Sequence, residues 1–134
     1  MSLPDANPSS RPLRVLVCGS REFGNSDQAR AAISHELLHL PDDTVIIHGA
    51  ARGVDTWADA IAWECGIEVE EYPADWERYG KRAGIIRNVE MLETQPDLVL
   101  AFWNGSSRGT LHTITEARAR GIETRVIPLE PSNE

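Results

Sequence analysis

The sequence predicts a doubly wound α/β domain, a mainly parallel five-stranded sheet with helices on both faces. Three observations carry this: five short apolar runs, four intervening segments of helical period, and a length of 134 residues, which suits one hydrophobic core. Parallel neighbours need crossover connections of one hand, and the crossover helices cover the sheet.

In chain order, "RVLVC" at 14–18 is the first strand. "DQARAAISHELLHL" at 27–40 follows as a helix with Ala29, Ile33, Leu37 and Leu40 on one face. "TVIIH" at 44–48 is the second strand. The next helix, 53–66, repeats apolar side chains at Val54, Trp57 or Ala58, Ile61, Ala62 and Cys65 and stops at Gly66, a C-terminal cap. "IEVEEY" at 67–72 alternates as a strand exposed on one face. After the irregular "PADWERYGKRA", the helix at 84–95 places Ile85, Val89 and Leu92 on one face and ends before Pro96. "DLVLAFW" at 97–103, a helix at 110–121 and "ETRVIPL" at 123–129 complete the pattern. Residues 1–13 and 130–134 lack periodicity and read as flexible tails around a single domain at 14–129.

Composition narrows the function. No apolar stretch approaches the about 18 residues of a membrane span, and no signal-peptide pattern opens the chain, so the reading is cytoplasmic. A formal charge of −8 argues against a nucleic-acid partner, because backbone affinity comes from positive surface. Cys18 and Cys65 read as packed thiols rather than a disulfide. The four histidines lack metal-ligand spacing, so neither metal nor cofactor is expected. Walker, nucleophile-elbow and G-x-G-x-x-G signatures are absent.

In an open α/β sheet the ligand lies at the carboxyl ends of the strands, so the following loops are the place to look. "GSREFGNS", "GAARG", "PADWERYGKRAG" and "NGSSRG" each carry glycine and arginine. Arg21, Arg52, Arg78, Lys81, Arg82 and Arg108 lie in these loops and Arg87 in the helix after the third, seven of thirteen basic residues. Helix N-termini and guanidinium forks both suit an anion. Ser20 and Arg21 occupy the usual nucleotide position of the fold. Gly49 and Gly53 fit either a tight turn or a close approach to ligand; Asp55 fits either a helix cap or a ribose acceptor. Glu22 fits an ion pair or an acid–base role, and Trp76 and Tyr79 a stacked base or a small satellite core.

Together, "VCGSREFG", "IIHGAARGVDTWADAIA", "ADWERYGKRAGIIRNVEML" and "LVLAFWNGSSRGTLHTITEARARGI" resemble, in order, the blocks of the YspA-type, cpYpsA-related branch of the SLOG superfamily. That resemblance implies a Rossmann-like fold and a nucleotide-derived ligand at the loops. The superfamily includes the LOG phosphoribohydrolases, whose arginine block is similar to "RNVEM", making Arg87 their catalytic arginine here. Their P-G-G-x-G-T-x-x-E block is similar to "NGSSRGT", but its glutamate is replaced by Thr113, leaving Glu116 one turn further on as the substitute.

The resemblance therefore implies a sensor or carrier for a nucleoside phosphate or an ADP-ribose or NAD derivative. Its implied contacts are Gly19, Ser20, Arg21, Gly49, Arg52, Gly53, Asp55, Arg87, Asn88, Gly105, Ser106, Ser107, Arg108, Gly109 and Thr110. A LOG-like hydrolase using Arg87 and Glu116 is the first alternative, and single-strand binding, as in the DprA branch, the second. Four tryptophans leave room for a homodimer through Trp57 or Trp63.

Overall fold

A computed structural model describes residues 11–131. The chain runs β1 (Leu13–Gly19), α1 (Ser26–Leu38), β2 (Thr44–His48), α2 (Val54–Cys65), β3 (Glu68–Glu71), α3 (Trp76–Tyr79), a 3-10 turn (Gly80–Arg82), α4 (Ala83–Glu93), β4 (Leu98–Trp103), α5 (Arg108–Ala119) and β5 (Glu123–Pro128). The sheet order is β3-β2-β1-β4-β5, with every pair parallel. Among the described residues no helix is long and apolar enough to cross a membrane.

Alternation along the central strands divides the core in two. Val15, Val17, Ile46, Leu100 and Phe102 pack with Ala29, Ile33 and Leu37 of α1 and Val54, Ala58 and Ile61 of α2. Leu16, Cys18, Ile47, Val99 and Ala101 pack on the opposite face with Met91 and Leu92 of α4 and Ile114 and Ala117 of α5. β2 is buried along its whole length, whereas the edge strands β3 and β5 are half-exposed, as their charged alternation requires.

Three local expectations change. The segment after β3 is not irregular: the Asp75 carboxylate accepts the Arg78 N–H and caps the four-residue α3. The buried face of α4 is Ala83, Arg87, Asn88, Met91 and Leu92, while Ile85 is exposed. Apolar periodicity missed this rotation because two buried residues are polar. Cys18 is packed, but Cys65 is exposed, since α2 reaches its Gly66 cap with that position facing outward.

Beyond the described residues the expected tails carry no structural statement. At their inner edges the chain is tied down: Gly24 N–H donates to the Glu130 carbonyl (3.0 Å), and Asp97 receives both Arg11 (2.7 and 3.1 Å) and the Arg14 N–H (2.9 Å). The Arg14 guanidinium reaches across β2 to Glu70 of β3 (3.0 and 3.1 Å). Those guanidinium bonds hold the Glu70 and Asp97 carboxyls below their ordinary values of 4.5 and 3.8.

Because both native values are depressed, this clasp contributes fully above the ordinary values and is lost as pH falls through the native ones. Chemical denaturation from pH 7 to pH 2 is expected to show stability falling below about pH 4. Asp97→Asn is expected to cost about 1 kcal/mol at pH 7, after allowance for solvent screening, and to flatten that acid loss. An unchanged acid profile in the variant would count against the clasp.

Candidate functional site

Chain direction places the site. From β1 the chain moves outward to β2 and β3, then returns to β4 on the other side of β1, so the loops after β1 and β4 diverge and leave a crevice. A cleft of about 490 Å³ lies there, its wall including Gly19, Arg21, Arg52, Asp55, Arg87 and Asn88. Gly19 is forced by packing: a Cβ would stand 2.5 Å from Val54 Cγ2 and 2.6 Å from the Phe102 carbonyl oxygen.

Arg87 forms the cleft's deepest positive charge. Its side chain is nearly buried, its Nη1 donates to the Gly49 carbonyl, and its Nε donates to Asn88 Oδ1 (2.9 Å). Nη2 has no acceptor among the described residues and faces the cleft wall near Gly84. Gly49 is glycine for this reason, since a Cβ would stand 2.4 Å from the guanidinium. Neither a tight turn nor ligand approach is needed to explain it.

The β2–α2 loop beneath Arg87 is closed from within. Asp55 Oδ2 accepts the amides of Gly49 (3.1 Å) and Ala51 (3.2 Å), and His48 Nδ1 accepts that of Ala50 (2.9 Å). Three consecutive donors are therefore spent on side chains of their own neighbourhood. Burial pushes the Asp55 carboxyl up, opposed by those amides and by the charge of Arg87; burial pushes Arg87 down, opposed by Asp55. Burial also pushes the Cys18 thiol up, so it borders the cleft as a neutral group rather than a nucleophile. Gly53 (φ +84°) carries the chain past Ser20 and Arg21, where a Cβ would stand 2.5 Å from the Ser20 carbonyl oxygen.

The loop after β4 is partly self-satisfied. Asn104 Oδ1 accepts the amides of Ser106 (2.9 Å) and Ser107 (3.0 Å), and Ser107 Oγ caps α5 through the Thr110 N–H (3.3 Å). The amides of Arg108 and Gly109 have no acceptor among the described residues, and these are the donors a helix N-terminus offers to an anion.

The structure brings Gly19, Arg21, Arg52, Asp55, Arg87, Asn88, Ser106, Ser107, Gly109 and Thr110 to one cleft. It does not bring Ser20, Gly49, Gly53, Gly105, Arg108 or Glu116 to its wall. Ser20 is fully buried and its Oγ accepts the Asn104 N–H (2.9 Å), joining the β1 and β4 loops. Glu116 lies beside Arg120 (3.8 Å), and Thr113 donates to its own helix at Gly109 (3.2 Å). Glu22 pairs with Arg52 (3.2 Å). Trp76 is half-exposed beneath the Arg21 guanidinium at 5.9 Å, and Arg78 covers Tyr79.

Lys81, Gly84 and Met91 also line the cleft, and only the basic residue had a sequence signal. Away from it, His48, Asp59 and Glu71 place possible ligand atoms within 4.8 Å of one another, a grouping hidden by its spread over three elements. Because His48 Nδ1 accepts an N–H, the neutral ring carries its proton on Nε2, which donates to Asp59 Oδ1 (2.9 Å).

A sequence model described as the YspA, cpYpsA-related SLOG family matches residues 13–79. The chain is 43% identical over 114 residues to the Gene 61 protein of Mycobacterium phage D29, covering 81% of this chain and 91% of that protein. In structure it resembles DNA processing protein A from Streptococcus pneumoniae (TM-score 0.67, 19% identity), covering 89% of this chain and 51% of that one. It also resembles DNA processing protein A from Helicobacter pylori (TM-score 0.60, 20% identity), whose structure concerns a single-stranded DNA binding mode, covering 89% and 66%. The chain thus spans about half to two-thirds of these longer proteins, and at such identities the likeness establishes the fold alone.

The seating of Arg87 over Gly49 is open to a double-mutant cycle. Gly49→Ala is expected to cost about 1–3 kcal/mol by urea denaturation in the parent chain and much less in an Arg87→Ala background. Equal costs in both backgrounds would show that the two positions are independent.

Proposed function

The chain belongs to the YspA, cpYpsA-related SLOG family, and from that membership together with the cleft we propose that it binds a phosphate-bearing nucleotide or nucleotide derivative without turning it over. The observation that carries the reading is Arg87: a nearly buried guanidinium, fixed by Gly49 and Asn88, with Nη2 left for a ligand. A pre-oriented fork in a poorly hydrated crevice binds an oxyanion more strongly than a mobile surface arginine does. Arg21, Arg52 and Lys81 add positive charge at the rim, and the Arg108 and Gly109 amides offer donors at the start of α5.

Asp55 sets the ligand's orientation in this reading. A carboxylate repels phosphate but accepts hydroxyl donors, so the phosphate lies towards α5 and the sugar towards Asp55 and Asn88. Trp76 beside Arg21 supplies an aromatic face at the rim for a base. Cleavage of an N-glycosidic bond needs a carboxylate free to stabilise the sugar cation or position water. Glu116 faces Arg120, Glu22 pairs with Arg52 and Asp55 holds two amides, which favours binding over hydrolysis.

A second reading has its own support. The nucleotide unit can be the end of a single strand, as the binding mode named for the Helicobacter pylori neighbour suggests. The same cleft would take the terminal phosphate, with Trp76 stacking the next base.

Calorimetric titration with AMP, ADP, ADP-ribose, NAD and a short oligothymidylate, each mixture then chromatographed, separates these readings. Binding of a free nucleotide without product, weakened about tenfold or more in Arg87→Ala, is the expected result. Circular dichroism of the variant confirms its fold. Base released at an Arg87-dependent rate would restore the hydrolase. Oligothymidylate binding alone, falling steeply with salt, would favour the second reading.

A further inference from the structure

The chain's net negative charge is concentrated in one region. Residues 53–77 contain eight carboxylates and no lysine, arginine or histidine, while the remaining residues hold thirteen acids against thirteen lysines and arginines. The formal charge of −8 therefore arises from α2, β3 and α3. Inside this region Asp55 is occupied by its loop, Glu70 by Arg14 and Asp59 by His48. Among the described residues no arginine or lysine pairs with Glu64, Glu68 or Glu71.

The same region contains a groove of about 680 Å³ between α2 and β3, which shares no lining residue with the basic cleft. Trp63, Ile67 and Val69 give it an apolar floor and side, and Asp59, Glu68 and Glu71 give it an acidic rim. Trp63 is 76% exposed, the highest exposure of any large apolar side chain among the described residues. Among the described residues β3 ends the sheet, and no strand pairs with its outer edge. Tyr72 N–H donates to the His48 carbonyl of β2; by strand alternation Val69 and Glu71 turn their backbone groups outward.

We propose that this groove docks an extended segment of a basic partner protein, which adds a strand beside β3, sets an apolar side chain against Trp63 and places lysine or arginine on the acidic rim. Backbone pairing at an open edge supplies register, and alternating side chains supply specificity. Charge complementarity selects the occupant. A second copy pairing antiparallel through "EVEE", with Val69 and Glu71 facing the partner, would set Glu68 opposite Glu70, Glu70 opposite Glu70 or Glu71 opposite Glu71, like-charge contacts that oppose self-association. A metal at His48, Asp59 and Glu71 would have to displace the Nε2 proton now donated to Asp59. A basic segment meets neither obstacle.

The test uses the whole chain labelled with ¹⁵N, titrated at low salt with a blocked peptide of alternating lysine and valine and with its glutamate counterpart. The lysine peptide is expected to shift the Val69 and Glu71 amides and the Trp63 indole. Affinity is expected to fall about tenfold or more in Trp63→Ala and in Glu71→Lys, but not in Arg21→Ala at the other site. Val69→Pro removes an outward donor without breaking a β2 bond, so it should abolish strand addition while circular dichroism stays unchanged. Equal binding of both peptides, shifts centred on the basic cleft, or no shift at about 1 mM peptide would overturn the proposal. So would a dimer of the free chain, seen in sedimentation and dissociated by Trp63→Ala, since that assigns the groove to a second copy.

Discussion

The burial of Asp55 is the constraint on which the cleft depends. A carboxylate placed there is tolerable because it accepts two amides of the β2–α2 loop while His48 accepts the amide between them. With its donors held, the loop presents the Gly49 carbonyl at a fixed point, and that carbonyl seats Arg87. Arg87 in turn is tolerable because Asp55 is nearby: burial drives the two groups in opposite directions, and each opposes the other's loss of charge. Removing either leaves the other's burial less compensated. Stability and the geometry of the cleft are therefore set by the same few atoms.

The sheet then distributes charge around this centre. Strand order opens the crevice between β1 and β4, while the acidic residues lie on the side towards β3. The result is a polar molecule despite its net negative charge. Long-range attraction is weakened by salt beyond about 10 Å, so an anion senses the local arginines once inside the cleft rather than the overall −8. The sequence expectation against nucleic acid used the net value, and this uneven distribution is why that value is a poor guide to the cleft.

Much of the architecture was legible because its physics is local. Short β-branched runs, the Gly66 stop with φ +73° and the alternation of the edge strands required no knowledge of tertiary contacts. Apolar periodicity places the buried face of α4 a partial turn out, because Arg87 and Asn88 occupy that face. Glycine and arginine in the β2–α2 loop are visible in the sequence and Arg52 does reach the cleft, whereas the capture of the loop's amides by residues 48 and 55 depends on the folded chain. Glu116, the substitute that the resemblance to the LOG block implies, lies off the cleft wall on the helix that begins there.

The contact between Gly49 and Arg87 also sets an order for evolutionary change. The backbone at Gly49 does not need a positive φ, and the guanidinium is what a Cβ there meets first. A lineage can lose the arginine first and later acquire a side chain at position 49; the reverse order passes through a displaced arginine. Once both have changed, the arginine cannot return without restoring the glycine. The two positions are thus coupled in descent, and a relative with a side chain at 49 is expected to carry a shorter residue at 87 or a guanidinium seated elsewhere.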